Sequence, residues 1–190
     1  MKKTIFTIGY AGFEFEDACR IMARHNATKI VDVRSSPFSK RFPQWNRSVM
    51  EDYAEYLWLG ERLGAHQTDA FRDGMVSREA VWKTPEFQDC LAAVPDSAFL
   101  LCAEKDPATC HRALLLAEWL DMNELAQIIH ISPLGEETHA QLCRRIRKKY
   151  GLFGPSLLHD EKEQHRLAME KAWREIAFRD MPEDIPEMRR

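Results

Sequence analysis

Apolar positions along this chain switch repeatedly between a period of two and a period near 3.6, the alternation expected where strands and helices take turns. Thr4 to Ile8 is a β-branched and aromatic run ended by Gly9, hence a first strand. Phe15, Ala18, Cys19, Ile21 and Met22 then recur at helical spacing to about His25, with Asn26 as the stop. Lys29 to Val33 is a second strand. The stretch from Ser35 to Pro43, with two prolines and three serines, is a loop. Ser48 and Glu51 have capping-box spacing, predicting a helix that runs through Tyr53, Ala54, Tyr56 and Leu57 and ends by Gly64. Residues 65 to 80, with His66, Asp69, Arg72, Asp73 and Gly74, are polar and irregular. Thr84-Pro85 opens a helix with Phe87, Cys90, Leu91 and Val94 on one face.

A third strand ends at Cys102. Asp106-Pro107 then predicts a helix to about Met122, with Cys110, His111 and Arg112 in its first turns. Ile128 to Ile131 is a fourth strand. Glu136 to Tyr150 is a helix closed by Gly151, and His159 to Arg179 is a charged helix with Leu167, Trp173 and Ile176 on a thin stripe. The last ten residues look frayed. The expected fold is α/β: a mainly parallel sheet of about four strands with helices on both faces, and a C-terminal helical extension. Residues 1–150 would form the α/β domain and 151–190 the extension. The stripe on the last helix would pack on that domain or on a second subunit, making a homodimer.

In such sheets ligands bind beyond the carboxyl ends of the strands. Gly9 and Tyr10, Asp32 and Arg34, Cys102 and Glu104, and the residues after Ile131 all fall there. Gly9 is either a plain turn glycine or a place where backbone approaches a ligand. Its surroundings lack the full dinucleotide-binding glycine pattern, so no nicotinamide cofactor is inferred. Asp32 and Arg34 share a strand face, as a local ion pair or with the guanidinium offered to a phosphate or carboxylate.

Charge and cysteine usage narrow the classes. The formal net charge of −3 argues against bulk attraction to nucleic acid or anionic membranes, but not against a local basic patch. Arg144, Arg145, Arg147, Lys148 and Lys149 form such a strip, either a solvated helix end or a contact for a phosphate backbone. No apolar run is long enough to span a membrane. The start resembles a signal peptide, but Gly9, Glu14, Glu16 and Asp17 cut its apolar region short, so a mature cytoplasmic protein is expected. Five scattered cysteines suit reduced thiols better than a disulfide framework.

Several of these motifs resemble the bacterial and archaeal family called domain of unknown function 488. The resemblance rests on Thr7-Ile-Gly9, Val31-Asp-Val-Arg34 with Pro37 and Ser39, Tyr56-Leu-Trp-Leu-Gly60, Leu101-Cys-Ala-Glu104, Cys110-His-Arg112 and His130. It covers about residues 4 to 131, and Ala11 departs from the small hydroxyl residue usual after Tyr10. It implies a fold and a pocket, with no settled activity.

The chemistry then turns on Cys102, Glu104, Cys110, His111 and Arg112. A phosphatase or rhodanese loop needs Cys-x5-Arg, and neither cysteine has it. Cys102, Cys110, His111 and His130 are zinc ligand types, but adjacent residues on a helix project about 100° apart, so no metal site is assigned. Cys110 at a helix start would favour its thiolate, and a half-buried Glu104 would serve as general acid or base. Two function classes follow. One is an enzyme on a phosphorylated or nucleotide-like substrate, with Glu104, Cys110, His111 and Asp32 as catalytic candidates. Gly9, Tyr10, Arg34, Ser39, Cys102 and Arg112 would hold its small anionic ligand. The other is a nucleic-acid or nucleotide binding module that uses Arg34, Arg112 and the 144–149 strip. No cofactor is named by the sequence.

Overall fold

The computed structural model describes residues 2–27, 29–64 and 77–177. It is an α/β fold with a mixed, mostly parallel sheet. The strands are β1 (Lys3–Gly9), β2 (Lys29–Asp32), β3 (Glu55–Trp58), β4 (Ala98–Cys102), β5 (Ala126–Ser132) and β6 (Gly135–Thr138), in the order β3-β2-β4-β1-β5-β6. All neighbours are parallel except β5 and β6. Six strands therefore stand where about four were expected. From β1 the chain moves to one side to build β2 and β3, and later to the other side for β5. The reversal lies beside β1 and β4, the position where sheets of this kind hold ligands.

Both added strands replace predicted helix. The second helix, α2 (Arg47–Tyr53), begins after Asn46, so Ser48 lies inside it and is not its cap. It stops at Tyr53, and Glu55 to Trp58 alternate exposed and half-buried at the sheet edge. Gly135–Thr138 pairs antiparallel with β5, and the helix expected from Glu136 starts at His139. There Thr138 and Gln141 form the reciprocal cap.

Helices cover both faces, as alternating burial along the strands requires. Phe6, Ile8, Ile30, Phe99, Leu101 and Ile131 pack on Ala18 and Met22 of α1 (Phe15–Arg24), with Trp45 and Met50. As expected, α1 stops near Asn26, which takes the left-handed backbone at φ 51°. On the other face Ile5, Val31, Leu100, Cys102 and Ile128 meet a second core. It includes Leu142 and Ile146 of α7 (His139–Lys149) and Met169, Ala172 and Trp173 of α8 (Glu161–Ala177). Of the expected stripe on α8, Trp173 is buried and Ile176 half-buried against this core, while Leu167 is outside it. Of the stretch 65–80, residues 65–76 lie outside the described residues, whereas Arg78–Trp82 form a short helix, α4, after α3 (Gly60–Leu63). Pro85–Ala92 follow as α5. The last ten residues also lie outside the described range.

The largest departure is the segment predicted as one helix from Pro107 to Met122. Asp106 does cap a turn, accepting from the Ala108 amide, but Pro107–Thr109 is a single 3-10 turn. Cys110 is extended (φ −137°, ψ 139°). Arg112–Ala117 then winds as a π-helix before α6 (Glu118–Met122). Wider winding frees carbonyls for side chains. Arg78 donates to the Leu114 carbonyl at 3.1 Å and Trp82 Nε1 to that of Leu115 at 3.1 Å.

Candidate functional site

Four side chains meet just beyond β4. Cys102 ends the strand with its side chain in the second core. Glu104 is two residues on and half-buried. Cys110 returns after the 3-10 turn, and His111 starts the π-helix. The two sulfurs are 3.3 Å apart, and Glu104 Oε2 lies 3.0 Å from each. His111 Nδ1 is 3.7 Å from Cys102 Sγ and 3.9 Å from Cys110 Sγ. Its Nε2 donates to the Val33 carbonyl at 3.1 Å. The extended backbone of Cys110 makes this convergence possible. On a regular helix its thiol and the His111 ring would diverge; Cys110 stands outside the helix in which it was expected, whereas His111 and Arg112 do open one.

The electrostatics follow from burial and closeness. Burial pushes the Cys102 thiol well up, helped by its bond to Cys110. Burial opposes ionisation of Cys110 too, but the hydrogen bond from Cys102 and the charges of Arg112 and His111 win, so its thiol is held well below the usual range. The helix-start amides expected to favour this thiolate are not the cause. Glu104 is raised by burial and by the negative sulfur of Cys110. His111 is raised despite burial, because Cys110 faces it.

Arg112 is fully buried and donates to the Glu104 carbonyl at 2.7 Å, while its Nε and Nη2 have no hydrogen-bond partner among the described residues. A Cβ on Gly9 would lie 1.6 Å from that same carbonyl oxygen. The backbone that approaches Gly9 is therefore the chain's own.

The other predicted residues lie on the opposite side of the sheet from this cluster: Tyr10 packs in the first core and Asp32 shares the strand face of Ile30, whereas Cys102 and Cys110 belong to the second core. Asp32 is fully buried and accepts from Arg34 Nε at 2.8 Å, from the Arg34 amide at 3.0 Å and from the Tyr56 hydroxyl at 2.5 Å. Arg34 Nη2 also donates to the Trp45 carbonyl at 2.8 Å, and its guanidinium stands 5.2 Å from the Tyr10 ring. The Asp32–Arg34 pair is thus internal. Tyr10 is buried and stacked on Trp45. Ser39 organises the loop, its amide donating to Asn46 and its hydroxyl accepting from the Phe42 amide.

A cleft of about 630 Å³ opens beside Glu104. Its charged lining is Glu104, Asp106, Glu136 and Glu137 against Lys105 and Arg145; neither Arg34 nor Arg112 lines it. Arg145 already binds Asp106 at 2.8 Å and Glu137 at 2.7 Å. Of the basic strip, Arg147 pairs with Glu161 and Lys149 with Glu175, while Arg144 and Lys148 sit by the Phe153 ring.

A second polar cluster escaped sequence reasoning. Thr7 Oγ1, His130 and His139 form a buried chain with steps of 2.8 and 2.9 Å, and His139 Nε2 reaches Glu118 Oε2 at 2.9 Å. His165 Nε2 binds the other oxygen at 2.8 Å. His130 therefore belongs here and not with the cysteines. Its members lie on five separate elements, so no local spacing announces them.

Among the described residues, no helix is long and apolar enough to cross a membrane. A family model described as Domain of unknown function DUF488 matches residues 15–120. No curated protein and no solved structure matches the chain.

Proposed function

The chain belongs to the DUF488 family, whose description states no activity, and from that premise we propose that it is an enzyme with Cys102, Glu104, Cys110 and His111 as its reaction centre. The observation that carries this reading is the double position of Glu104. It borders the cleft, and its Oε2 touches both sulfurs. A carboxyl raised by burial and by a neighbouring thiolate holds its proton more firmly than a free one, as a general acid or base requires. Glu104 is the acid/base in this reading, and Cys110 and His111 hold its charge state.

The cleft's charges alter the substrate class expected from the sequence. Four carboxylates face two cations, one of them already held by two of those carboxylates. Such a lining favours a small neutral or cationic polar substrate over a phosphorylated one. The alternative of nucleic-acid binding draws less support, since Arg145, Arg147 and Lys149 have carboxylate partners that a phosphate would have to displace.

The test is a turnover screen with neutral amides and esters, amines, phosphate monoesters and nucleotides, run on the native chain and on Glu104→Gln. A substrate turned over by the native chain and lost in the variant, with binding retained, supports the reading. Turnover unaffected by Glu104→Gln removes it. Salt-sensitive binding of duplex or single-stranded nucleic acid, weakened by reversing Arg144 and Lys148, would favour the alternative.

A further inference from the structure

We propose that Cys102, Glu104, Cys110 and His111 bind one zinc ion, through both sulfurs, His111 Nδ1 and Glu104 Oε2. This deepens the reaction centre proposed above and rests on it.

The donor set comes first. Two thiols, one imidazole nitrogen and one carboxylate oxygen lie within 4.8 Å of one another. Zinc bonds of about 2.3 Å to sulfur and about 2.0–2.2 Å to nitrogen or oxygen make a tetrahedron with edges of about 3.5–3.8 Å. The observed edges involving sulfur run from 3.0 to 3.9 Å. Small outward shifts of Glu104 and the sulfurs would seat the ion.

Orientation is the second argument. A histidine ligand is commonly held by a hydrogen bond from its other ring nitrogen to a carbonyl or carboxylate. Val33 supplies that carbonyl to Nε2, and Nδ1 faces the sulfurs.

Charge is the third. A divalent ion with two thiolates and one carboxylate leaves one net negative charge. Arg112, buried beside the cluster with Nε and Nη2 unpartnered among the described residues, supplies one positive charge. Loading the thiol form releases its thiol protons to solvent, as thiolate coordination requires.

Glu104 is the ligand on the cleft side and the least buried of the four. It is the one that an incoming ligand would displace, leaving its carboxylate free to accept a proton.

The test needs no substrate. The full chain is purified under reducing conditions without chelator, its zinc measured by elemental analysis, and the zinc then exchanged for Co2+. Expected are one zinc per chain and a cobalt form with thiolate-to-metal charge transfer and the strong visible bands of a tetrahedral ion. Cys102→Ser and Cys110→Ser should each lower charge-transfer intensity and weaken binding by about tenfold or more. Glu104→Ala, at the cleft edge, should keep the charge transfer but change the visible bands as water replaces the carboxylate. A native chain that takes up neither Zn2+ nor Co2+, or carries a Cys102–Cys110 disulfide that survives reductant, would overturn the proposal. So would a cobalt spectrum unchanged in both cysteine variants, which would place the ion elsewhere. Metal uptake with turnover indifferent to Glu104 would retain the zinc site and remove the reaction centre. Turnover lost in Glu104→Gln without metal uptake would do the reverse.

Discussion

His111 reaches across the strand ends to the carbonyl of Val33, 3.1 Å from its Nε2. A carbonyl only accepts, so Nε2 carries hydrogen in either protonation state, and Nδ1 is the nitrogen that faces the two sulfurs. One hydrogen bond thereby ties the end of β2 to the segment after β4. His111→Phe should leave the Val33 carbonyl buried and unpaired, at about 1–3 kcal/mol. Urea unfolding in the presence of a chelator measures this without any metal contribution. An unchanged midpoint would show that the bond contributes nothing.

Gly9 and Gly12 make a paired prediction. A Cβ at Gly9 would stand 1.6 Å from the Glu104 carbonyl oxygen and 2.9 Å from Arg112 Nη1. Backbone cannot yield there without moving Glu104 away from the thiols. At Gly12 the nearest atoms belong to the side chains of Pro133 and Lys105, at 2.6 and 2.9 Å. Gly9→Ala should cost about 3 kcal/mol or more and Gly12→Ala less, because only the second clash can be relieved by side-chain movement. Thermal melts of the two variants side by side check the order.

The polar residues at the strand ends divide between the two faces, Tyr10 and Asp32 on one and Cys102 and Cys110 on the other, whereas sheet class and parallel order followed from apolar spacing and held. The mutual geometry did not, because Asp106-Pro107 is the same signal whether it opens one turn or four. Only tertiary packing makes Cys110 extended, with its sulfur beside Cys102. The edge strands were missed for a different reason. Gly135–Thr138 has no apolar alternation, and it is paired only at the sheet edge, on β5. At β3 the weak alternation of Tyr56 and Trp58 was hidden behind a Ser48–Glu51 spacing that only mimics a capping box. The Thr7, His130, His139 and Glu118 chain joins residues from distant parts of the sequence, where periodicity carries no information.

Asp32 and Arg34 should behave as a unit. Arg34 is 5% exposed and its Nη1 already lacks a partner among the described residues, so removal of the carboxylate strands a buried cation. Asp32→Ala is expected to destabilise by about 3–5 kcal/mol. Replacing both residues with apolar ones of similar volume should recover part of the loss. A double-mutant cycle by chemical denaturation reads the coupling, and additive losses would count against it.

Glu118 provides the pH prediction. It is 2% exposed and accepts from His139 on α7 and His165 on α8. Arg78 on α4 stands 3.9 Å from it, and Cys143 also faces it at 3.9 Å. Burial would raise its carboxyl, but the two histidine hydrogen bonds outweigh burial and hold it well below the usual carboxylate range. The carboxylate accepts from His139 Nε2, and the chain continues through His139 Nδ1 and His130 Nε2, 2.9 Å apart, to His130 Nδ1 and the Thr7 hydroxyl, 2.8 Å apart. His130 is held neutral by burial and by the charges of His139, Arg112 and Arg145. A carboxylate with a depressed folded value stabilises the fold above its unfolded value of about 4.3 and loses that contribution as pH falls toward the folded value. Glu118→Gln keeps the shape, removes the charge and can turn an amide N–H toward a histidine N–H. The native chain should exceed it by about 3–5 kcal/mol near neutrality, with the gap narrowing below about pH 4. Urea titrations of both chains from neutral to acid pH measure that gap. A gap that stayed constant through the acid range would mean that Glu118 does not stabilise the fold as an anion.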